Sequence, residues 1–245
     1  PAWLRNAVVT QTEEDTQLGR HARVVELVDS GQWLQGKPSR TQTDRGAVPP
    51  HLPPPALYFL SVNKKNPAPV LRGDTVSIFP LKRDDLVDWL DDPETVSRRL
   101  GVRLVLARPN RLMRSVFKRK AESISAQPDR ELWITYWGIV PRSEPDVVVG
   151  LVGFKGLDIR NRLAEVGYGI EPEYRGRGFM KAALQLLLQW AAETGRVSGI
   201  VAVTDDSNEP SIRVLRACGF AVESRGGHQI RWVRPLSSTD STKAG

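Results

Sequence analysis

Between Ala164 and Lys181 the chain alternates arginine and glycine, Arg175-Gly176-Arg177-Gly178, where a β-like stretch gives way to an apolar helical repeat. The first N–H groups of a helix have no intrahelical acceptor, and the positive end of the helix dipole lies beside them. Glycine has no Cβ, so a ligand can approach its backbone closely. With Phe179, Met180 and Lys181 opening the helix and Arg175 and Arg177 adding positive charge, this string suits binding of a phosphate or pyrophosphate. Metal chemistry has no comparable foothold. His21, His51 and His228 are scattered without ligand spacing, and the lone Cys218 excludes an internal disulfide framework.

The elements that must position this turn follow from periodicity. Leu163 to Ile170 reads as the strand before it. Met180, Ala183, Leu184, Leu187, Leu188 and Ala191 follow the i, i+3, i+4 spacing of one helix face, and Gly195 ends that helix. Upstream, Thr75–Leu81 predicts a strand, followed by short helices through Leu86–Leu90 and Val96–Leu100 that stop at Gly101. Residues 102–122 are basic (Arg103, Arg108, Arg111, Arg114, Lys118, Arg119, Lys120), with Leu112, Met113, Val116 and Phe117 forming an apolar stripe. That pattern fits a nucleic-acid or acidic-substrate surface, or a solvated amphipathic helix, which is the commoner meaning of a charge run.

Two strands are predicted next, Glu131–Val140 and Val147–Leu157. Strand alternation puts Trp133 and Trp137 on one face and Tyr136 on the other, to line an acceptor pocket or simply to pack the sheet. Gly150, Gly153 and Gly156 mark a bulge or a close backbone approach. Downstream come a buried strand at Gly199–Thr204, a capping cluster at Asp205–Ser211, a helix through Val214 and Leu215 to Gly219, and a hairpin pairing Phe220–Glu223 with His228–Val233.

Residues 1–70 are expected to form a poorly ordered N-terminal extension: one helix at Glu13–Ser30, then a proline-rich linker over Gly36–Asn66. The start at Pro1 fits a fragment or a start set too far upstream. Residues 71–236 form the folded domain, and 237–245 a disordered tail. The chain has 245 residues, is 40% hydrophobic and carries a formal net charge of +7. No apolar run approaches the roughly 18 residues of a membrane span, so no membrane partner is expected. A single cysteine and no signal-like start fit a reducing cytoplasm. The basic balance fits nucleic acid or, with fewer charges, a polyphosphate cofactor.

Arg175-x-x-Gly178-x-Met180 resembles the acyl-CoA-binding signature, Gln/Arg-x-x-Gly-x-Gly/Ala, of the GCN5-related N-acetyltransferases (GNAT superfamily). It departs at Met180, where the family carries a small residue. One strand and one helix further on, Asn208-x-x-Ser211 with Gly219-Phe220 resembles a second block of that superfamily, typical of its RimJ/RimL-like branch. Leu71-Arg72-Gly73 resembles the family's opening string.

The resemblance implies an α/β fold: a GNAT-like mixed, mostly antiparallel sheet flanked by helices, with a V-shaped split between the fourth and fifth strands, Leu163–Ile170 and Gly199–Thr204. It implies an acetyltransferase domain at 71–236 with acetyl-CoA as co-substrate and no metal, passing an acetyl group directly to a primary amine. The acceptor stays open between a protein N-terminal amine, including a ribosomal-protein terminus, and a small amine such as an aminoglycoside. The alternative is a non-catalytic CoA-binding or regulatory module of the same fold. Nucleic acid ranks last as a partner, because no known binding motif is present. Nothing in the sequence sets an oligomeric state.

By resemblance, the cofactor lies against the main chain of Val166, Gly167 and Tyr168 and the turn Arg175, Gly176, Arg177, Gly178, Phe179, Met180 and Lys181, with Asn208 and Ser211 on its arm. Glu165 is the catalytic base candidate, acting through water with its affinity for protons raised by burial. Its plainer alternative is an edge carboxylate paired with Arg160 or Arg162. Ser211 is the candidate to protonate the departing sulfur, with Tyr174 and Tyr168 as substitutes, since some relatives use a tyrosine. Asn208 and Ser211 equally suit helix capping, and Cys218 a small buried apolar position.

Overall fold

The computed structural model describes residues 69–105 and 109–236. The expectations for the N-terminal helix, the proline-rich linker, Arg108 and the tail lie outside the described residues.

The first strand has a short partner ahead of it: β1 (Leu71–Arg72) pairs antiparallel with β2 (Val76–Pro80). Two short helices follow, α1 (Arg83–Asp88) and α2 (Pro93–Leu100). Helix α2 starts where Asp92 accepts from the Thr95 N–H at 3.0 Å, and it stops at Gly101, whose φ of 66° is left-handed. After β3 (Arg103–Leu104), Asn110 caps the basic segment, which is α3 (Arg111–Ala126).

The strand expected at Glu131–Val140 is shorter than its composition suggests. Glu131–Ile134 is a helical turn, α4, and only Tyr136–Pro141 is strand, β4. A short aromatic and β-branched run does not by itself separate strand from buried helix. The aromatic faces survive the change. Trp133 and Trp137 both meet Trp190, at 4.8 and 5.2 Å between ring centroids, whereas Tyr136 meets Phe117 on the other side at 5.8 Å. All three are buried in the core, so they pack the sheet and do not line an acceptor pocket.

The predicted strand at 147–157 divides into β5 (Val147–Val148), which pairs parallel with β3, and β6 (Gly150–Asp158). Its glycines fill both roles expected of them. A Cβ at Gly150 would lie 2.5 Å from the Gly169 carbonyl oxygen, and one at Gly153 would lie 2.5 Å from that of Thr135. Gly156, with φ 154°, sits in the bulge where the pairing of β6 shifts register between Phe154 and Leu157. The remaining elements are β7 (Leu163–Ile170), α5 (Phe179–Glu193), β8 (Gly199–Asp205), α6 (Glu209–Ala217), β9 (Ala221–Gly226) and β10 (Gln229–Pro235).

The main sheet runs β1-β2-β4-β6-β7-β8-β10-β9, with every neighbouring pair antiparallel except β7–β8. It is a mixed, mostly antiparallel sheet with helices on both faces. One face packs α5 and α6 over Val152, Phe154, Ala164, Val166, Ile200 and Trp232. The other packs α1, α2 and α3 over Phe79, Tyr136, Val140 and Leu151. No helix of the described residues is long and apolar enough to cross a membrane.

The glycine contacts make a stability prediction. Gly153→Ala should lower unfolding free energy by about 1–3 kcal/mol, because the Thr135 backbone cannot step aside. Gly226→Ala, which meets nothing within 4 Å, should change it by less than about 0.5 kcal/mol. Urea unfolding of both variants checks this.

Candidate functional site

The site begins where a ladder ends. β7 and β8 pair in parallel only at Leu163–Gly199, Ala164–Ile200 and Glu165–Val201. Beyond that rung both strands continue, β7 to Ile170 against β6 and β8 to Asp205 against β10, but not against each other. Two hydrogen bonds set which way the β7 backbone faces. The Arg162 carbonyl accepts from the Ser198 N–H at 2.7 Å, toward β8, whereas the Glu171 N–H donates to Val149 at 3.0 Å, continuing the β6 side. Alternation along the strand therefore directs the main-chain groups of Val166, Tyr168 and Ile170 into the wedge, and those of Gly167 and Gly169 toward β6.

Two side-chain contacts furnish the wedge. The Asn208 Oδ1 caps α6 by accepting from the Ser211 N–H at 3.2 Å, which is the plainer of its expected roles. The Tyr168 hydroxyl, carried on β7, donates to the Ser211 carbonyl at 3.3 Å. Tyr168, Asn208 and Ser211 thus meet across the gap. Tyr174 points elsewhere: its hydroxyl donates to Glu144 at 3.0 Å, and burial followed by that carboxylate raises its pKa.

At the mouth of the wedge lies the arginine–glycine turn. Gly176 and Gly178 have φ of 74° and 78°, left-handed values that a side chain resists, and a Cβ on either would meet nothing within 4 Å. Gly178 is the N-cap of α5, and its carbonyl takes the Ala182 N–H at 3.0 Å. The N–H groups of Phe179, Met180 and Lys181 therefore precede the helix ladder. The side chains of Phe179 and Met180 are buried in the core, so these residues offer the turn only their backbone. Arg175 and Arg177 are exposed; Arg175 Nε reaches the Ile170 carbonyl at 3.3 Å, and Arg177 lies 3.8 Å from Glu144 and 5.2 Å from the Tyr174 ring centre. Cys218 is buried, with its thiol pushed up to about 11 by that burial.

Glu165 stands on the last paired rung and faces the α3 side. Its partner is neither Arg160 nor Arg162 but Lys155 of β6, at 2.6 Å. The reason is register: the β6 bulge brings Lys155 beside Glu165, while Arg162 turns away to donate to the Gly195 carbonyl at 2.9 Å. Behind this pair the basic run contributes a residue that no wet-face reading anticipates. Lys120 is buried, and its Nζ donates to the carbonyls of Ile134 and, at 2.7 Å, Phe154, while lying 4.3 Å from the Tyr136 ring centre. Burial, then the like charges of Lys155 and Arg119, lower its pKa to about 7. A lysine at an apolar stripe position among Met113, Phe117, Ala121 and Ile124 is the one signal that could have found it. Among the described residues no group of three or more His, Cys, Asp or Glu could hold a metal.

Residues 77–221 match the family model described as an acetyltransferase (GNAT) domain. The chain belongs to the GNAT acetyltransferase family. Among curated relatives, it is 34% identical over 80 residues to the uncharacterized N-acetyltransferase p20 of Bacillus licheniformis, covering 33% of this chain and 45% of the relative. It is 30% identical over 78 residues to the ribosomal-protein-serine acetyltransferase of Escherichia coli K12, covering 32% and 44%. The chain thus spans about half the length of the curated relatives it matches. Its fold is that of the ribosomal-protein-S5-alanine acetyltransferase of Vibrio fischeri, with a TM-score of 0.51 at 18% identity over 69% of this chain and 98% of that one.

GNAT acetyltransferases use acetyl-CoA, and the residues present fit it. The open left-handed glycines and the helix N–H groups suit its pyrophosphate, and the β7 edge suits an amide-bearing arm. The departure at Met180 does not obstruct the turn, because that side chain lies in the core.

Lys120 gives a pH prediction. Its folded-state value lies below its ordinary 10.5, so between about pH 7 and that value the unfolded chain binds more protons than the folded one. Its contribution to stability therefore rises with pH across that window. The unfolding free energy of the wild type minus that of Lys120→Met should grow by up to about 1.4 kcal/mol per pH unit above 7, read from urea titrations at pH 6.5 and 9.

Proposed function

We propose that the protein is an acetyl-CoA-dependent N-acetyltransferase that passes the acetyl group directly to a primary amine, of a protein N-terminus or a small molecule. The observation that carries this reading is the end of the β7–β8 ladder at Glu165–Val201 beside the open N-terminus of α5. When bound, acetyl-CoA supplies the acetyl group as an activated thioester. The chain's own residues do the rest. Phe179, Met180 and Lys181 donate main-chain N–H groups to the pyrophosphate, with Gly176 and Gly178 keeping the approach open and Arg175 and Arg177 adding charge. Val166 and Tyr168 set the open edge of β7 against the arm, and Val166 directs an N–H at the acetyl carbonyl, whereas Gly167, expected beside them, turns its main chain to β6 and takes no part.

Glu165 accepts the proton of the incoming ammonium, through water, so that nitrogen becomes nucleophilic. In this reading Ser211 gives the departing sulfur its proton, and Asn208, whose Oδ1 caps α6, keeps its amide NH2 to donate to the arm. Tyr174, held by Glu144, is the weaker substitute for Ser211. Cys218 stays outside the chemistry, since a thiol raised by burial is a poor nucleophile and direct transfer needs none.

One observation favours a second reading, a CoA-binding module without turnover: the base candidate is engaged in an ion pair with Lys155. Release of thiol from acetyl-CoA with a panel of amines separates the two. Turnover with at least one amine is expected; tight CoA binding with no turnover on any would favour the module. Glu165→Gln should lower kcat by roughly 10²–10⁴-fold and leave the Kd for CoA unchanged. Gly178→Ala, forced at φ 78°, should weaken CoA binding by calorimetry with little change in acceptor KM.

A further inference from the structure

Lys155 and Glu165 hold each other at 2.6 Å in a partly open position, with side chains 33% and 21% exposed. A group already bonded to an ammonium is a poor acceptor for a second one, so the arrangement raises the question of what separates them. The surroundings answer in charge. Gly167, directly along β7, offers no side chain, and a Cβ there would touch the Lys155 Cε at 3.5 Å, so the lysine lies flat across the strand next to Glu165. From α3, buried Lys120 reaches the Phe154 carbonyl, just before Lys155, at 2.7 Å, and the like charges of Lys155 and Arg119 both act on it. Lys155 thus covers the carboxylate, with a second lysine, Lys120, behind it. Such a field repels a polyamine and attracts an amine that also carries negative charge.

We propose that Lys155 recognises a carboxylate carried close to the reactive amine of the acceptor, and that its docking releases Glu165 to take the amine's proton. The inference rests on the acetyl-transfer reading of Glu165 given above. In the exchange Lys155 stays protonated and changes partner, from Glu165 to the acceptor's carboxylate. The acceptor's ammonium gives one proton to Glu165, its nitrogen forms the new bond to the acetyl carbon and sheds a second proton, the carbon–sulfur bond breaks, and the sulfur takes up that second proton and leaves as the thiol. Charge is conserved at the site, because the acceptor brings a carboxylate in place of the one that becomes protonated. An acceptor lacking that carboxylate leaves Lys155 on Glu165 and reacts slowly. The carboxylate has two possible sources, the α-carboxylate of a free amino acid or an acidic side chain near a peptide N-terminus.

The test measures kcat/KM by thiol release for free serine, and for amidated dipeptides of serine followed by aspartate, asparagine or lysine, with spermidine as the polycation. Free serine or the aspartyl peptide should exceed the asparaginyl peptide and spermidine by at least tenfold, and whichever leads identifies the source. Lys155→Met should raise KM for the preferred acceptor about tenfold without moving KM for the asparaginyl peptide, and Lys155→Arg should restore the preference. Equal turnover of neutral, cationic and anionic acceptors, or a preference that survives in Lys155→Met, would overturn the proposal. Calorimetry of the N-acetylated aspartyl peptide on the CoA-loaded protein keeps the two readings apart. If no amine turns over yet this peptide binds in a Lys155-dependent way, acetyl transfer fails and carboxylate recognition stands. If amines turn over and this peptide binds no better than its asparaginyl counterpart, recognition fails and acetyl transfer stands.

Discussion

A parallel pair of strands loses its hydrogen bonds after Glu165–Val201, and the site is built around that loss. Backbone polar groups removed from a ladder must find other partners, because leaving them buried and unmade costs about 1–3 kcal/mol each. On β7 that demand falls on alternate residues, so the edge facing the wedge is a row of donors and acceptors at strand spacing. An extended molecule with amide groups meets that requirement in the way an added strand would.

The wedge persists because its walls are held from outside. β7 is tied to β6 along nearly its whole length, by an approach so close at Gly150 that no side chain fits. β8 is bound over its full length by β10. Helix α5, buried along Ala183, Leu184, Leu187, Leu188 and Ala191, fixes the arginine–glycine turn at the mouth. The contact from Tyr168 to the Ser211 carbonyl is the bridge that sets the spacing of the two sides near the chemistry.

How much of this was legible in the chain depended on whether the signal was local. β7 and α5 follow from period alone, and the predicted bounds of β7 match the observed ones, with the polar turn at Asp158–Asn161 before it and Pro172 after it. The α6 cap was readable from Asn208 and Ser211, whose types suit that position in any helix. Trp133 was misplaced in a strand because aromatic residues at this density suit either state, and the packing of Trp190 from a distant helix decides it. Lys120 and Lys155 were missed for a stronger reason. Burial of Lys120 depends on the carbonyls of Ile134 and Phe154, the latter beyond the last rung between β4 and β6 at Tyr136–Gly153, and no local pattern announces such a pairing. Lys155 had a faint trace: folding β6 back onto β7 as a hairpin sets it across from Glu165, ten positions on.

Backbone hydrogen exchange, followed amide by amide with and without acetyl-CoA, tests the central claim most directly. Protection should rise at Val166 and at Phe179, Met180 and Lys181, the main-chain donors of the parted strand and the helix start. Binding of acetyl-CoA with those amides unchanged and protection arising elsewhere would contradict the account.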